Sequence, residues 1–161
     1  IEEGGFGDLV FYAKWSVIYY NINYVLYGGE NPLNPATYTI EDEVVFEDAI
    51  REGYSFEGWY DASNSLVEKI DFGTMGSITL YASWQVKDYD ITYHLNGGDA
   101  SNPTTYNVQS SIELQPASRQ GYIFKGWYEQ QDFSGEEVTH LPLGQPGDIS
   151  LYARFLVRYV I

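Results

Sequence analysis

Two side chains in this 161-residue sequence have a charge that ordinarily changes near neutral pH, His94 and His140. Either could serve as a general acid or base if a carboxylate or a nucleophile stood beside it. The sequence argues against both. It contains two copies of one unit, and Val25 occupies in the first copy the place that His94 holds in the second. A group replaced by an aliphatic side chain serves no shared site. His140 falls in a loop that differs between the copies. No Ser–His–Asp or Cys–His set can be assembled twice. Cys is absent, which removes thiolate nucleophiles, disulfides and thiolate metal sites together. No catalytic residue and no cofactor are assigned.

The carboxylates suggest a second chemistry, calcium binding. Glu41, Asp42 and Glu43 are consecutive, but Gln109, Ser110 and Ser111 replace them in the second copy. Glu30 and Asp99 each follow a Gly-Gly pair, with an Asn nearby. Calcium requires about six to eight oxygens, and no Asp-x-Asp-x-Asp-Gly loop is present. The Gly-Gly pairs lack the Lys and the helix start of a phosphate loop. These stretches read as polar turns, and no metal ligand is assigned.

Composition narrows the partners. The net charge of −15 disfavours nucleic acid and anionic lipid surfaces. Hydrophobic residues make up 44%, enough for a packed core. The 16 Tyr and 16 Gly point to strands and many turns. No stretch approaches the ~20 apolar residues of a membrane helix, so no membrane insertion is expected. The sequence starts at Ile1 without Met and reads as an excerpt of something longer.

The repeat organises these observations. "INYVLYGGE" from Ile22 aligns with "ITYHLNGGD" from Ile91, and "GYSFEGWY" from Gly53 with "GYIFKGWY" from Gly121. "ITLYASW" from Ile78 aligns with "ISLYARF" from Ile149, and "GDLVFYAKW", ending at Trp15, is a partial third copy. The division expected is residues 1–15 as the last strand of a preceding repeat, 16–84 and 85–155 as two repeats, and 156–161 as the start of another. Within a unit, apolar residues alternate: Ile78, Leu80, Ala82 and Trp84 on one face, Thr79, Tyr81 and Ser83 on the other. Phe46, Ala49 and Ile50 lie at helical spacing, as do Leu114, Ala117 and Ser118, with Pro116 suited to a first turn and Gly53 and Gly121 to C-terminal caps. The order expected per unit is therefore strand, strand, short helix, strand, strand.

The repeated aromatic phrase is read as structural. Gly58 and Gly126 interrupt their strands, so a bulge would turn Trp59 and Trp127 inward despite their parity. Trp59, Trp127, Tyr54, Tyr122, Phe56, Phe124, Trp84 and Phe155 are the expected anchors. The short linkers 16–21 and 85–90 contain no Gly or Pro, and Tyr19 and Tyr20 are expected at the unit junction. Tyr19, Tyr20, Tyr81 and Tyr152 are the candidate contact surface.

"GYSFEGWYD" followed by a spacer and "ITLYASW" resembles the Listeria–Bacteroides repeat, the B repeat of internalin-type surface proteins. "YVLYGGENPLNPATY" and "YHLNGGDASNPTTY" are similar to the opening of that module. The resemblance implies an α+β class of tandem β-grasp modules, ubiquitin- or SUMO-like and strand-rich. It further implies a non-enzymatic stalk, spacer or adhesion module of a secreted or surface-anchored bacterial protein, located outside the cell, on the surface or in the wall. Its partners would be neighbouring repeats of the same chain, and a surface protein or glycan of a host or neighbouring cell, with no nucleic acid. Phe155 departs from Trp15 and Trp84, and the loop after Tyr128 is three residues longer than that after Tyr60. A second reading makes the chain a carbohydrate- or protein-binding module; it requires Tyr81 and Trp59 to be open to solvent. The partial unit ending at Trp15 is expected to dock on a neighbouring unit or to add a strand.

Overall fold

The computed structural model describes residues 8 and 10–159. Among these residues, twelve strands fall into two similar sets of six. The first contains β1 (Tyr20–Val25), β2 (Thr37–Tyr38), β3 (Val44–Val45), β4 (Tyr54–Tyr60), β5 (Lys69–Ile70) and β6 (Ile78–Val86). The second contains β7 (Asp88–His94), β8 (Thr105–Asn107), β9 (Ile112–Glu113), β10 (Tyr122–Tyr128), β11 (His140–Leu141) and β12 (Ile149–Val157). Each set builds a four-stranded sheet, ordered β2-β1-β6-β4 and β8-β7-β12-β10. A two-stranded sheet completes each unit, β3 with β5 and β9 with β11. The first and last long strands of a unit run parallel, Ile22 beside Ile78 and Ile91 beside Ile149, while the other pairings are antiparallel.

The expected short helix is absent: among the described residues the chain forms strands and turns only. The α+β, strand-strand-short helix-strand-strand β-grasp assignment is therefore corrected to all-β. The reason lies in where the backbone groups of residues 46–50 go. Phe46 N donates to Glu68 O, and Ile50 exchanges both its bonds with Glu30. The Asn34 side chain takes the Glu47 N–H through Oδ1 at 2.7 Å and donates from Nδ2 to Glu47 O at 2.8 Å. Asn102 does the same for Gln115. A five-residue helix would have to nucleate at the expense of these bonds, and nucleation is unfavourable at that length. The helical spacing was also misleading in itself, because Ala49 is buried while Ile50 is 61% exposed. Gly53 and Gly121 do adopt positive φ, at 79° and 81°, but they close a turn into β4 and β10 instead of capping a helix.

Each unit has its own core, and the two share no residue. Leu80 and Leu151 at the centre of β6 and β12 are fully buried, flanked by Ala82 and Ala153. In β4 the register shifts between Phe56 and Gly58, leaving Glu57 as the extra residue; β10 shifts likewise between Phe124 and Trp127. Gly58 has φ 140° and Gly126 φ 113°, conformations that L side chains rarely adopt. The bulge lets Phe56 and Trp59 face inward together, with ring centroids 5.2 Å apart. Trp59 and Trp127 are both 2% exposed. Their indole N–H groups donate to Glu47 O at 3.0 Å and Gln115 O at 2.9 Å. Each Trp thus fixes the extended segment that stands where a helix was expected. Phe56 also meets Trp84, and Phe124 meets Phe155.

The Gly-Gly turn makes room for the last aromatic of each unit. A Cβ on Gly29 would run into Trp84, and one on Gly98 would lie 2.8 Å from Phe155. Trp84 Nε1 donates to Leu26 O at 3.0 Å. Phe155 has no such donor, and Asn96 Nδ2 instead ties the turn to Ala153 O at 2.8 Å.

Replacing Trp59 by Ala removes a buried ring and its hydrogen bond, so the first unit should lose about 3–5 kcal/mol. Because the cores are separate, chemical denaturation of Trp59→Ala should show an early transition for one unit and a nearly unchanged one for the other. A second expectation concerns alkaline pH. Burial pushes the hydroxyls of Tyr24 and Tyr93 from 10.0 up to about 12, and raises those of Tyr38 and Tyr106 as well. A folded-state pKa above the unfolded value means stability is whole below about pH 10 and falls as pH rises towards 12. Tm measured across that window should be flat and then drop, and the drop should be shallower in Tyr24→Phe/Tyr93→Phe.

Candidate functional site

Since the cores are filled by like residues, any site must lie on faces where the units differ. The outward face of β6 and β4 carries Tyr81 and Tyr60, and the tight turn after β1 adds Tyr27, held at φ 48°. With Asp61, Asn64 and Ser83 these three Tyr line an open groove of 350 Å³. Tyr27 is 59% exposed, whereas Tyr60 and Tyr81 are each more than half covered. Asp61 is engaged in its own turn, where Oδ1 accepts from Ser63 N and Ser65 N at 2.8 and 2.9 Å. The groove therefore offers ring faces, hydroxyls and amides, the equipment of weak recognition.

The same face is furnished differently in the second unit, where a groove of 290 Å³ lies beside Asn96, Gln131 and Phe133. His94 stacks on Tyr152 with centroids 4.1 Å apart and planes 7° from parallel. Phe133, from the longer loop, meets Tyr128 edge-on at 5.9 Å, and the Arg154 guanidinium lies 5.8 Å from both rings. Val25 and Ser83 stand at the positions of His94 and Arg154 in the first unit. His94 is thus a packing residue on the outer face. His140 sits in β11 opposite Glu113, with Nδ1 3.3 Å from Thr139 Oγ1.

The carboxylates singled out by sequence are dispersed. Asp42 Oδ2 accepts from Thr39 N and Oγ1, while Glu43 shares Lys69 with Asp71. Both acids hold the pKa of the exposed Lys69 up, Asp71 more than Glu43. Among the described residues no three His, Asp or Glu converge as metal ligands would.

Trp59 and Trp127 are core residues; Phe56, Phe124, Trp84 and Phe155 pack partly buried against the same cores. Tyr54 and Tyr122 belong to neither core and lie at one end of each unit, with Arg51 and Arg119 over their rings at 3.7 and 3.8 Å. Tyr20 packs on Tyr38 at 5.6 Å inside its own unit, and Tyr19 is 69% exposed. With Trp59 buried and Tyr81 mostly covered, the binding platform built on those two residues is absent. Among its described residues the N-terminal piece adds no strand: Val10, Phe11, Tyr12 and Trp15 are 70–91% exposed and form no strand pairing. Most of its remainder, residues 1–7 and Leu9, lies outside the described residues.

The contacts of Phe133 and Arg154 with Tyr128 are not legible in the sequence, although the three-residue insertion is their visible mark. Nitration with tetranitromethane, mapped by mass spectrometry, should label the exposed Tyr12, Tyr19, Tyr27 and Tyr159 and spare the buried Tyr38 and Tyr106. His94→Val should raise labelling of Tyr152 several-fold, because it removes the stacked ring.

A family model described as the Listeria-Bacteroides repeat domain matches residues 20–83 and 89–154. Internalin H of Listeria monocytogenes is 37% identical over 112 residues, covering 65% of this chain and 20% of that protein. Two proteins of Evansella cellulosilytica, whose names describe a Gly-rich membrane protein and a membrane protein, are 33% and 32% identical over 132 and 167 residues. They are covered over 15% and 23% of their length, so the chain spans less than a quarter of each of these relatives. No solved structure matches the chain significantly.

Proposed function

The chain belongs to the Listeria-Bacteroides repeat domain family, and on that footing we propose that it is a non-enzymatic tandem segment of a bacterial surface protein, a stalk or spacer that also carries an adhesive contact. The observation that carries this reading is the contrast between the two units. Core residues, bulges and hydrogen bonds recur in both, while the outward face carries a groove lined by three Tyr in one and a His94–Tyr152 stack with Phe133 and Arg154 in the other. Charge diverges as well, with net −10 over residues 22–90 and −3 over residues 91–161. A spacer needs only the repeated interior, and its surface is free to change from copy to copy. Similarity to Internalin H and to proteins named for membranes supports a place at the cell surface or outside the cell. The adhesive partner would be a protein or glycan of a host or neighbouring cell, met through the open Tyr27 groove.

Bacteria displaying the parent protein test both parts. Deleting residues 20–157 should reduce attachment, and an unrelated pair of β-rich modules of equal length should restore it if spacing is the role. Failure of the replacement to restore attachment, together with loss of attachment in Tyr27→Ala, would assign the function to contact instead of reach.

A further inference from the structure

The two units put different charge on the same outward face. Ser83 in β6 stands where Arg154 stands in β12, and Glu57 in β4 where Lys125 stands in β10. Together these exchanges alter the face by three charges. Asn64 and Phe133 form a third pair. Each lies in the loop after its Tyr strand at positive φ, 61° and 60°, and each N–H donates to the carbonyl three residues back.

In the second unit the chain supplies its own cation to this face. The Arg154 guanidinium lies 5.8 Å from the centroids of both Tyr128 and Phe133, within the ~6 Å over which a ring attracts a cation. Tyr60 is the counterpart of Tyr128, and it has no such neighbour. Among the described residues no guanidinium or ammonium lies over Tyr27, Tyr60 or Tyr81. Arg51 stacks on Tyr54 at 3.7 Å, as Arg119 does on Tyr122, so that pair marks both units alike. Where the second unit has Arg154, the first has the 350 Å³ groove, with Asp61 in its wall. Glu57 is tied to the lining Ser83, whose Oγ donates to Glu57 Oε2 at 2.7 Å. Every lining residue falls between Tyr27 and Ser83, so the groove is whole within one repeat.

We propose that the Tyr27–Tyr60–Tyr81 groove binds an arginine side chain from a basic segment of a partner protein, its guanidinium taking the place that Arg154 holds in the second unit. The inference rests on the reading of this groove as the adhesive contact, and it narrows the partner to a protein. A guanidinium is planar and weakly hydrated, so it lies flat on a Tyr ring while its edge donates to carboxylate and amide oxygens. Asp61, Glu57 and Asn64 supply such oxygens at the groove. The net −10 over residues 22–90 draws a basic segment in from a distance. A neutral sugar would make no use of that charge, and an acidic one would be repelled by it.

NMR titration of the isotope-labelled whole chain with a blocked Gly-Arg-Gly-Arg-Gly peptide tests the proposal. The ring signals of Tyr27, Tyr60 and Tyr81 should shift saturably, and the affinity should fall as salt is added. Replacing both Arg by citrulline keeps the shape and removes the charge, and should weaken binding at least about fivefold. Ser83→Arg installs the second unit's own guanidinium and should abolish the shifts. Glu57→Lys, an exposed change also copied from the second unit, should weaken binding at least about fivefold while amide dispersion stays that of the folded chain. Equal binding of the citrulline peptide would overturn the proposal. So would shifts that spread over the acidic surface and miss the three rings, or binding indifferent to both substitutions. A peptide that causes no shift would also overturn it. In that case, loss of bacterial attachment in Tyr27→Ala would still uphold the adhesive groove, and shifts of the same rings by maltohexaose would turn its partner from protein to glycan.

Discussion

The hydrogen bond from a buried indole to a backbone carbonyl, Trp59 to Glu47 and Trp127 to Gln115, holds the rest of each unit in place. It can form only because a glycine bulge reverses the parity of β4 and β10 and turns the ring inward. The carbonyl it captures belongs to an extended segment whose other polar groups are taken by an Asn side chain and by Glu68, Glu30 or their counterparts. Without the indole that segment would keep its bonds to Asn34, Glu68 and Glu30 but lose its tie to the buried ring, and with it the contact that joins it to the core.

This interior explains why the two units look alike despite their different exteriors. Leu80, Ala82 and Trp59 meet the same neighbours as Leu151, Ala153 and Trp127. Outside, exchanging Val25 for His94 and Ser83 for Arg154, and lengthening one loop to bring in Phe133, puts a stacked His94–Tyr152 pair and a guanidinium between two rings where the first unit has a row of Tyr. The buried residues keep their places even though the exchange reaches the bulge itself: Ser83 pairs with Gly58, and its Oγ donates to Glu57 Oε2 at 2.7 Å, where the second unit has Arg154.

The strands were legible in the sequence because their signals are local: alternation in residues 78–84, the Gly-Gly turns and the glycine before each Trp. The helix was misread for the same reason. Phe46, Ala49 and Ile50 have helical spacing, yet the groups that hold Glu47 between them are Asn34 and Trp59, thirteen and twelve residues from it. Spacing within a window cannot register a competitor outside it. The candidate site was only half legible. Tyr81 and Tyr152 were singled out as equals, but their surroundings differ through Val25, His94 and Phe133. The contact between the units is the least legible part, since Gly53 reads as a helix cap in the sequence while Val108 of the second unit lies over it.

One more consequence follows from the parallel pairing of the first and last long strands. Chain enters a unit at the start of β1 and leaves at the end of β6, and these two strands lie side by side in the same direction, Ile22 beside Ile78 through Val25 beside Tyr81. β7 and β12 repeat the arrangement. Tension applied along the molecule therefore slides the two strands lengthwise past one another, so the bonds between them share the load and cannot be unzipped singly. The pairing that closes each sheet thereby makes the unit resist stretching, whichever end is pulled.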